Sequence, residues 1–362
     1  MLTALIFIVV IGILVVVHEF GHFIVAKRAG MKVEEFGFGF PPRLWGVKKS
    51  ETTYSINLIP FGGFVKIYGE EGEHRNEPRS FSSKPLGIRL KVVVAGVVMN
   101  FLLAAFLLML GNYVGIRVGI GDDADGVSVL AKEKKVQIVS VIQDSPAQKA
   151  DLTIFDEIVG FENVSGGVTD VSTATEVREY VAANAGKEIK IVIRRNSGVE
   201  VKEITLLQDS GEKGLLGIVP ARTGLLFYPW YEAVWRGTTD AVFLAGQTAV
   251  GYYQLFRTLL LKGQLIADVS GPIGIANVTG QAAAVGFRFL LQFVALISVN
   301  LAILNIIPFP ALDGGRALML GIEKIKGSPV NQKVEAFINS IGFALLILLM
   351  VYATVKDITR IF

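Results

Sequence analysis

Two imidazoles and a carboxylate stand within five residues of one another in His18-Glu19-Phe20-Gly21-His22. On a helix, positions i and i+4 share a face, so His18 and His22 could both direct a ring nitrogen at one metal ion. Glu19 stands beside that face and could take a proton from water activated by the ion. The motif closes an apolar run: Met1 to Val17 contains no charged residue. Ionisable groups at membrane depth are costly and mark function. The chain has only three histidines and no cysteine. A transition-metal site must therefore use nitrogen and oxygen ligands, a donor set that suits one tetrahedral zinc ion.

Two histidines are one ligand short, since a catalytic zinc site usually takes three protein ligands plus water. His74 is a poor third, because Glu70, Glu71, Glu73, Arg75 and Asn76 surround it as in a solvated loop. A second candidate lies in Asn305-Ile306-Ile307-Pro308-Phe309-Pro310-Ala311-Leu312-Asp313-Gly314-Gly315. Its prolines break the helix there. Broken backbone at membrane depth is tolerated where it is packed in protein or lines a cavity. Asp313 is either a cap for the next helix or the missing oxygen ligand, and the incomplete HEFGH site favours the second.

The rest of the chain must position these groups. It has 362 residues, 52% of them hydrophobic, with a net charge of +3 and a mean hydropathy of +0.53. That balance points to a polytopic α-helical membrane protein and away from nucleic acid. About four spans are expected, near 2–26, 92–116, 287–307 and 337–355. The N-terminal run lacks a basic leader and a small-residue cleavage site, so it reads as a span rather than a secretory signal. Basic residues follow the first span (Lys27, Arg28, Lys32, Arg43, Lys48, Lys49) and flank the later ones (Lys84, Arg89 and Lys91; Arg316, Lys324, Lys326 and Lys333), whereas Asp122, Asp123 and Asp125 follow the second. Both termini are then expected outside, with the HEFGH site nearer the cytosolic face. Residues 120–222 form a long polar insert with strand-like alternation at 136–142, 188–193 and 201–206 and a helix over 174–183. Residues 228–265 mix aromatics with charges and read as an interfacial amphipathic region or a fifth span.

The two motifs together, each on its own apolar span, resemble the site-2 protease family of intramembrane zinc metalloproteases, in particular the bacterial branch that cleaves anti-sigma factors. The resemblance implies that His18, His22 and Asp313 bind one zinc ion, that Glu19 is the general base, and that Asn305 holds the substrate or the oxyanion. Phe36-Gly37-Phe38-Gly39-Phe40 matches the family's glycine-rich segment. Thr53-Tyr54-Ser55-Ile56-Asn57-Leu58-Ile59-Pro60-Phe61-Gly62-Gly63-Phe64-Val65-Lys66 reads as two short strands around a turn and is similar to the family's membrane-re-entrant β-hairpin. Its edge residues Ile56, Asn57, Leu58, Ile59, Gly62, Gly63 and Phe64 would bind substrate by strand addition. Ser270-Gly271-Pro272-Ile273-Gly274 is similar to the family's segment before the third span. The insert resembles a PDZ domain through Val139–Ala147, Ala150-Asp151-Leu152, Asp156-Glu157-Ile158 and Leu216–Pro220. It departs from that pattern at Asp151 and Phe155, where glycine is usual. No carboxylate-binding loop is legible, which leaves a peptide-binding or a gating role.

The expected organisation is therefore a catalytic membrane region (1–119), an extracytoplasmic β-rich PDZ-like domain (120–222), an interfacial region (223–284) and a C-terminal membrane region (285–362). The expected protein is a multi-pass protease of the bacterial inner membrane. Its expected partners are the lipid bilayer and single-pass transmembrane substrates such as anti-sigma factors or remnant signal peptides. A zinc transporter or a membrane-anchored PDZ scaffold are the rival readings.

Overall fold

The computed structural model describes residues 2–122, 130–163, 166–195, 198–209, 214–263 and 271–361; the side chains of Pro60, Phe61, Lys262, Arg360 and Ile361 fall outside the description. Asp123, Asp125 and Ser270 lie outside the described residues. The chain divides into two compact units. The first comprises Met1–Leu110, Val234–Ala283 and Leu290–Phe362, and the second Gly111–Ala233 with Ala284–Phe289.

The helices of the first unit are α1 (Leu2–Arg28), α2 (Leu86–Val114), α5 (Trp230–Lys262), α6 (Pro272–Val285), α7 (Phe287–Ile306), α8 (Asp313–Lys326) and α9 (Gln332–Ile361), of which α2, α5, α6 and α7 each have one end that belongs to the second unit. Four of them, α1, α2, α7 and the part of α9 over Gln332–Thr359, are long and apolar enough to cross a membrane. With the β-sheets below, they make a polytopic membrane protein. α2 starts earlier than its apolar run and stops before Ile116, because Gly115 at φ +103° turns the chain out of the helix. α5 is one continuous helix of 33 residues and is not among the four candidate spans. Small residues let these helices approach closely: Ala104, Ala241 and Ala295 form a buried cluster with Leu108 and Val299.

The segment expected as two short strands about a turn is built differently. β1 (Val33–Lys49) and β2 (Thr52–Ile67) form their own sheet. The two arms of β2 do not pair with each other. Phe36 opposes both Tyr54 and Val65, and Gly37 opposes both Ser55 and Phe64, so the start of β1 lies between the arms. Backbone pairing with a preceding strand wins over a local turn, and β2 bends at Gly62, whose φ is +103°.

The second unit is a seven-stranded sheet, β3 (Ile116–Gly119), β4 (Lys132–Val141), β5 (Glu157–Glu162), β6 (Val168–Asp170), β7 (Glu188–Arg195), β8 (Gly198–Thr205) and β9 (Ile218–Leu226). The strand order is β3-β9-β4-β5-β7-β8, with β6 beside β5. A single turn of helix, α3, covers Pro146–Lys149, and α4 covers Ala174–Ala183. α4 buries Val177 and Val181 against Ile138, Ile158, Phe161 and Ile191, and Phe161 stacks on Tyr180 at 3.8 Å. Asp151 and Phe155 hold φ of +61° and +77°. These are left-handed conformations that glycine adopts at lower cost.

Candidate active site and metal centre

α1 carries His18, Glu19 and His22, and α8 opens with Asp313. The structure brings His18, His22 and Asp313 together from opposite ends of the chain, with the donor atoms within 4.8 Å of one another. His18 Nε2 lies 3.1 Å and His22 Nε2 3.4 Å from Asp313 Oδ2, and the two Nε2 atoms are 3.3 Å apart. Asp313 does not cap α8: the N-cap is Leu312, which makes no side-chain cap bond. The carboxylate turns to the imidazoles instead. Gly314 permits this turn, because a Cβ there would sit 2.5 Å from the carbonyl carbon of Ile306.

α2 supplies the other wall from one face, at Val92, Gly96 and Asn100, each four residues apart. His22 Nδ1 lies 2.8 Å from the carbonyl oxygen of Val92. Donation to that carbonyl puts the proton on Nδ1 and leaves Nε2 as a lone-pair donor for a metal. A Cβ at Gly96 would sit 2.6 Å from His18 Cε1 and 2.8 Å from His18 Nε2, so only glycine leaves the space. Asn100 places its amide nitrogen 3.3 Å from His18 Nδ1, while its Oδ1 is buried without a partner. Rotating the amide by 180° lets Oδ1 accept from Nδ1–H, which frees His18 Nε2 for a metal. Asn100 is itself held by Ser298, whose hydroxyl donates to the Asn100 carbonyl at 2.7 Å. Sequence reading missed Gly96 and Asn100. The signal available was an asparagine in an apolar span, four residues after a glycine.

A pocket of about 200 Å³ surrounds the cluster, lined by His18, Glu19, His22 and Asp313, by Gly63, Phe64, Val65 and Ile67 of β2, and by Glu70 and Arg316. A Cβ at Gly63 would lie 2.9 Å from Val15 and 3.3 Å from Glu19 Cγ, so this arm of β2 lies directly on the face of α1 that carries Glu19. Arg316, one turn along α8, donates to Glu70, whose charge holds its guanidinium pKa above the ordinary value. Other residues expected at the site lie elsewhere. Ile56, Leu58 and Ile59 are exposed. Asn57 is buried and donates to the Gly39 carbonyl at 3.0 Å. Gly62 makes the bend. Asn305 is half-buried and outside the pocket lining. His74 stacks on Tyr68 at 4.5 Å in an exposed loop and pairs with Glu77 at 3.0 Å, away from the cluster.

The cluster fits a metal ion on its own geometry. Asp313 Oδ2 is buried and without a hydrogen-bond partner, although it faces two imidazole nitrogens. A buried orphan oxygen is costly, and two nitrogens and one oxygen are a donor set for catalytic zinc.

Comparison with known proteins gives the same chemistry. The family model described as peptidase family M50 matches residues 6–349. A candidate zinc metalloprotease of Clostridium acetobutylicum is 36% identical over 349 residues, covering 96% of this chain and 94% of the relative. The zinc metalloprotease RasP of Oceanobacillus iheyensis is 31% identical over an alignment of 451 positions that covers 100% of each. The regulator of sigma-W protease RasP of Bacillus subtilis is 29% identical, with 99% of each chain covered.

Proposed function

The chain belongs to peptidase family M50 and is a zinc metalloprotease of the site-2 type, and from that premise we propose that it hydrolyses peptide bonds within the transmembrane segments of single-pass membrane proteins. Anti-sigma factors and remnant signal peptides are the substrate classes that fit. The name of the Bacillus subtilis relative, a regulator of sigma-W, supports the first.

His18, His22 and Asp313 hold the zinc in this proposal. Bound there, zinc supplies a Lewis acid that polarises the scissile carbonyl and lowers the pKa of water towards about 7. Glu19 takes the proton from the attacking water and returns it to the leaving amine. Its carboxylate lines the pocket and makes no hydrogen bond among the described residues, so it is available as a base. Val92 and Asn100 keep the imidazoles oriented, since partners on the second ring nitrogen fix the tautomer. A substrate must be extended before it is cut, because a helical carbonyl is engaged in its own hydrogen bond. The arm Gly63–Lys66 pairs with β1 on one side, and no other strand pairs with it among the described residues. Its second edge is therefore open to strand addition beside Glu19. The substrate-contacting set narrows to Gly63, Phe64 and Val65, and the reaction as proposed needs no group from Asn305.

The β1–β2 sheet is proposed to dip into the membrane from the cytosolic side. The exposed Phe40, Leu44, Trp45, Leu58 and Ile59 on it support this, as apolar side chains that lipid would cover. The seven-stranded unit is proposed as an extracytoplasmic PDZ-like domain that admits or excludes substrates. A cavity of about 300 Å³ between α4 (Val177, Arg178, Val181) and the start of β9 supports a peptide-sized groove. The basic residues of the loops after α1 and before α2 support an inner-membrane protein with its site near the cytosol.

The observation that carries the proposal is the orphan oxygen of Asp313 facing two paired imidazoles. The test is cleavage of a model single-pass substrate by detergent-purified protein, with and without chelator, beside Glu19→Gln. The expected result is cleavage by wild type alone, abolished by chelator, with the variant retaining zinc but losing at least ~10³ in rate. Cleavage by Glu19→Gln, or in excess chelator, overturns it.

A further inference from the structure

The second unit contains a cavity of about 550 Å³ that the proteolytic chemistry does not use. Three cations line it: Arg117 on β3, Lys135 on β4 and Arg288 at the start of α7; the one acid in its lining is Glu133. The lining therefore carries two positive charges in excess. Among the described residues, the acid beside the lining does not remove that excess. Glu157 is shared between Lys135 at 3.5 Å and Arg194, so it balances only one of those two. Arg117 is anchored by the Glu133 carbonyl at 3.0 Å and by Thr223 at 3.3 Å, and lies 3.5 Å from the Glu133 carboxylate. Arg288 donates Nε to the Val114 carbonyl at 3.0 Å and lies 5.5 Å from the centre of the Phe227 ring. Burial, together with the Arg288 charge, pulls the Arg117 pKa down; burial, together with the Arg117 and Arg194 charges, pulls down that of Lys135. Like charges held together in partial burial are a cost that an anion would offset.

The position of the cavity in the chain selects the anion. Val114, the last residue of α2, and Phe287, the first of α7, both line it, so two candidate spans end there. The same unit exposes Trp230 (71%), Tyr231 (63%) and Phe287 (64%). Exposed Trp and Tyr side chains of a membrane protein favour headgroup depth. Leu225 and Val285 add apolar lining beside the cations. We propose that this cavity binds the phosphate of an anionic phospholipid headgroup, with Arg117, Lys135 and Arg288 as its cationic ligands. The bound lipid would tie the β-rich unit to the membrane surface.

The test is binding of a short-chain fluorescent phosphatidylglycerol to the full-length protein in neutral detergent. The matched phosphatidylcholine and inorganic phosphate are the comparison arms. Phosphatidylglycerol should bind at least about tenfold more tightly than phosphatidylcholine. Lys135→Gln and Arg288→Gln should each weaken phosphatidylglycerol by about fivefold and leave phosphatidylcholine unchanged. Inorganic phosphate should fail to displace the lipid at equal concentration. Lys135 sits at the rim, its side chain 29% exposed, so its variant stays informative if Arg288→Gln does not fold. Equal binding of the two lipids, wild-type phosphatidylglycerol affinity in the folded variants, or displacement by inorganic phosphate at equal concentration would each overturn the proposal.

Discussion

Asp156 and Asp313 are both acids withdrawn from water, one in each unit, and their surroundings differ in kind. Asp156 is 2% exposed and fully partnered. It accepts from the Thr153 N–H at 2.8 Å and hydroxyl at 3.2 Å, and from Nε and an Nη of Arg195 at 2.8 Å each. That Arg195 pair holds its guanidinium pKa above the ordinary value. Asp313 meets two imidazole nitrogens and leaves Oδ2 without a hydrogen-bond partner. Complete satisfaction is what a carboxylate needs to stabilise a fold. Incomplete satisfaction persists where an ion or a reacting group supplies the missing partner.

Replacing each acid by its amide gives the largest effects and tests that distinction directly. Asp313→Asn removes the proposed oxygen ligand. Zinc retention should fall by at least ~10²-fold, read by metal analysis after dialysis against a weak chelator. The metal-free variant should unfold at the temperature of metal-free wild type or above it, because a buried orphan charge has gone. Asp156→Asn should do the reverse. It replaces a charge that accepts four hydrogen bonds, at a cost of about 3 kcal/mol to the second unit. Hydrogen exchange at Ile158 and Ile191 should rise accordingly, with zinc content unchanged. A destabilised metal-free Asp313→Asn would break the comparison.

What could be read from sequence divides along the same line. His18, Glu19, His22 and Asp313 were legible because charged groups interrupting apolar runs are anomalous without any knowledge of packing. The helix Ala174–Ala183 was legible because Thr173 and Glu176 form a capping box before an amphipathic turn. Gly96 and Asn100 were not, because their meaning depends on which face of α2 meets α1, and no local pattern carries that. The placement of Glu35–Phe38 between both arms of β2, and the pairing of Ile116–Gly119 with Thr223–Leu226, are likewise non-local. Strand propensity does not encode its partner.

Asn100→Ala sharpens the contrast from the catalytic side. The variant removes the group beside His18 Nδ1 while leaving all three proposed ligands in place. Zinc affinity should drop by about 10- to 100-fold, the usual effect of losing an orienting partner. Asn100→Asp, whose carboxylate accepts from Nδ1–H without rotation, should recover most of that loss. A merely structural role for Asn100 would instead make the charged substitution worse than alanine, because it buries an ion near the middle of α2.

The smallest expected effect lies in the satisfied unit. Thr173 Oγ1 accepts from the Glu176 N–H at 3.1 Å, and Glu176 returns a carboxylate oxygen to the Thr173 N–H at 3.3 Å. The Ser172 N–H donates to the same carboxylate at 2.7 Å. Thr173→Ala removes one of these bonds at the start of α4 and should cost about 1 kcal/mol. The loss should appear as faster exchange at Val177 and Val181, while zinc content and cleavage of a substrate without an external domain stay at wild-type values. Because α4 forms one wall of the 300 Å³ groove, a fall in cleavage confined to substrates that carry an external segment would separate gating by this unit from the chemistry at Glu19. An equal fall for both substrates would show that loosening α4 reaches the metal centre, and the two units could then no longer be treated as independent in function.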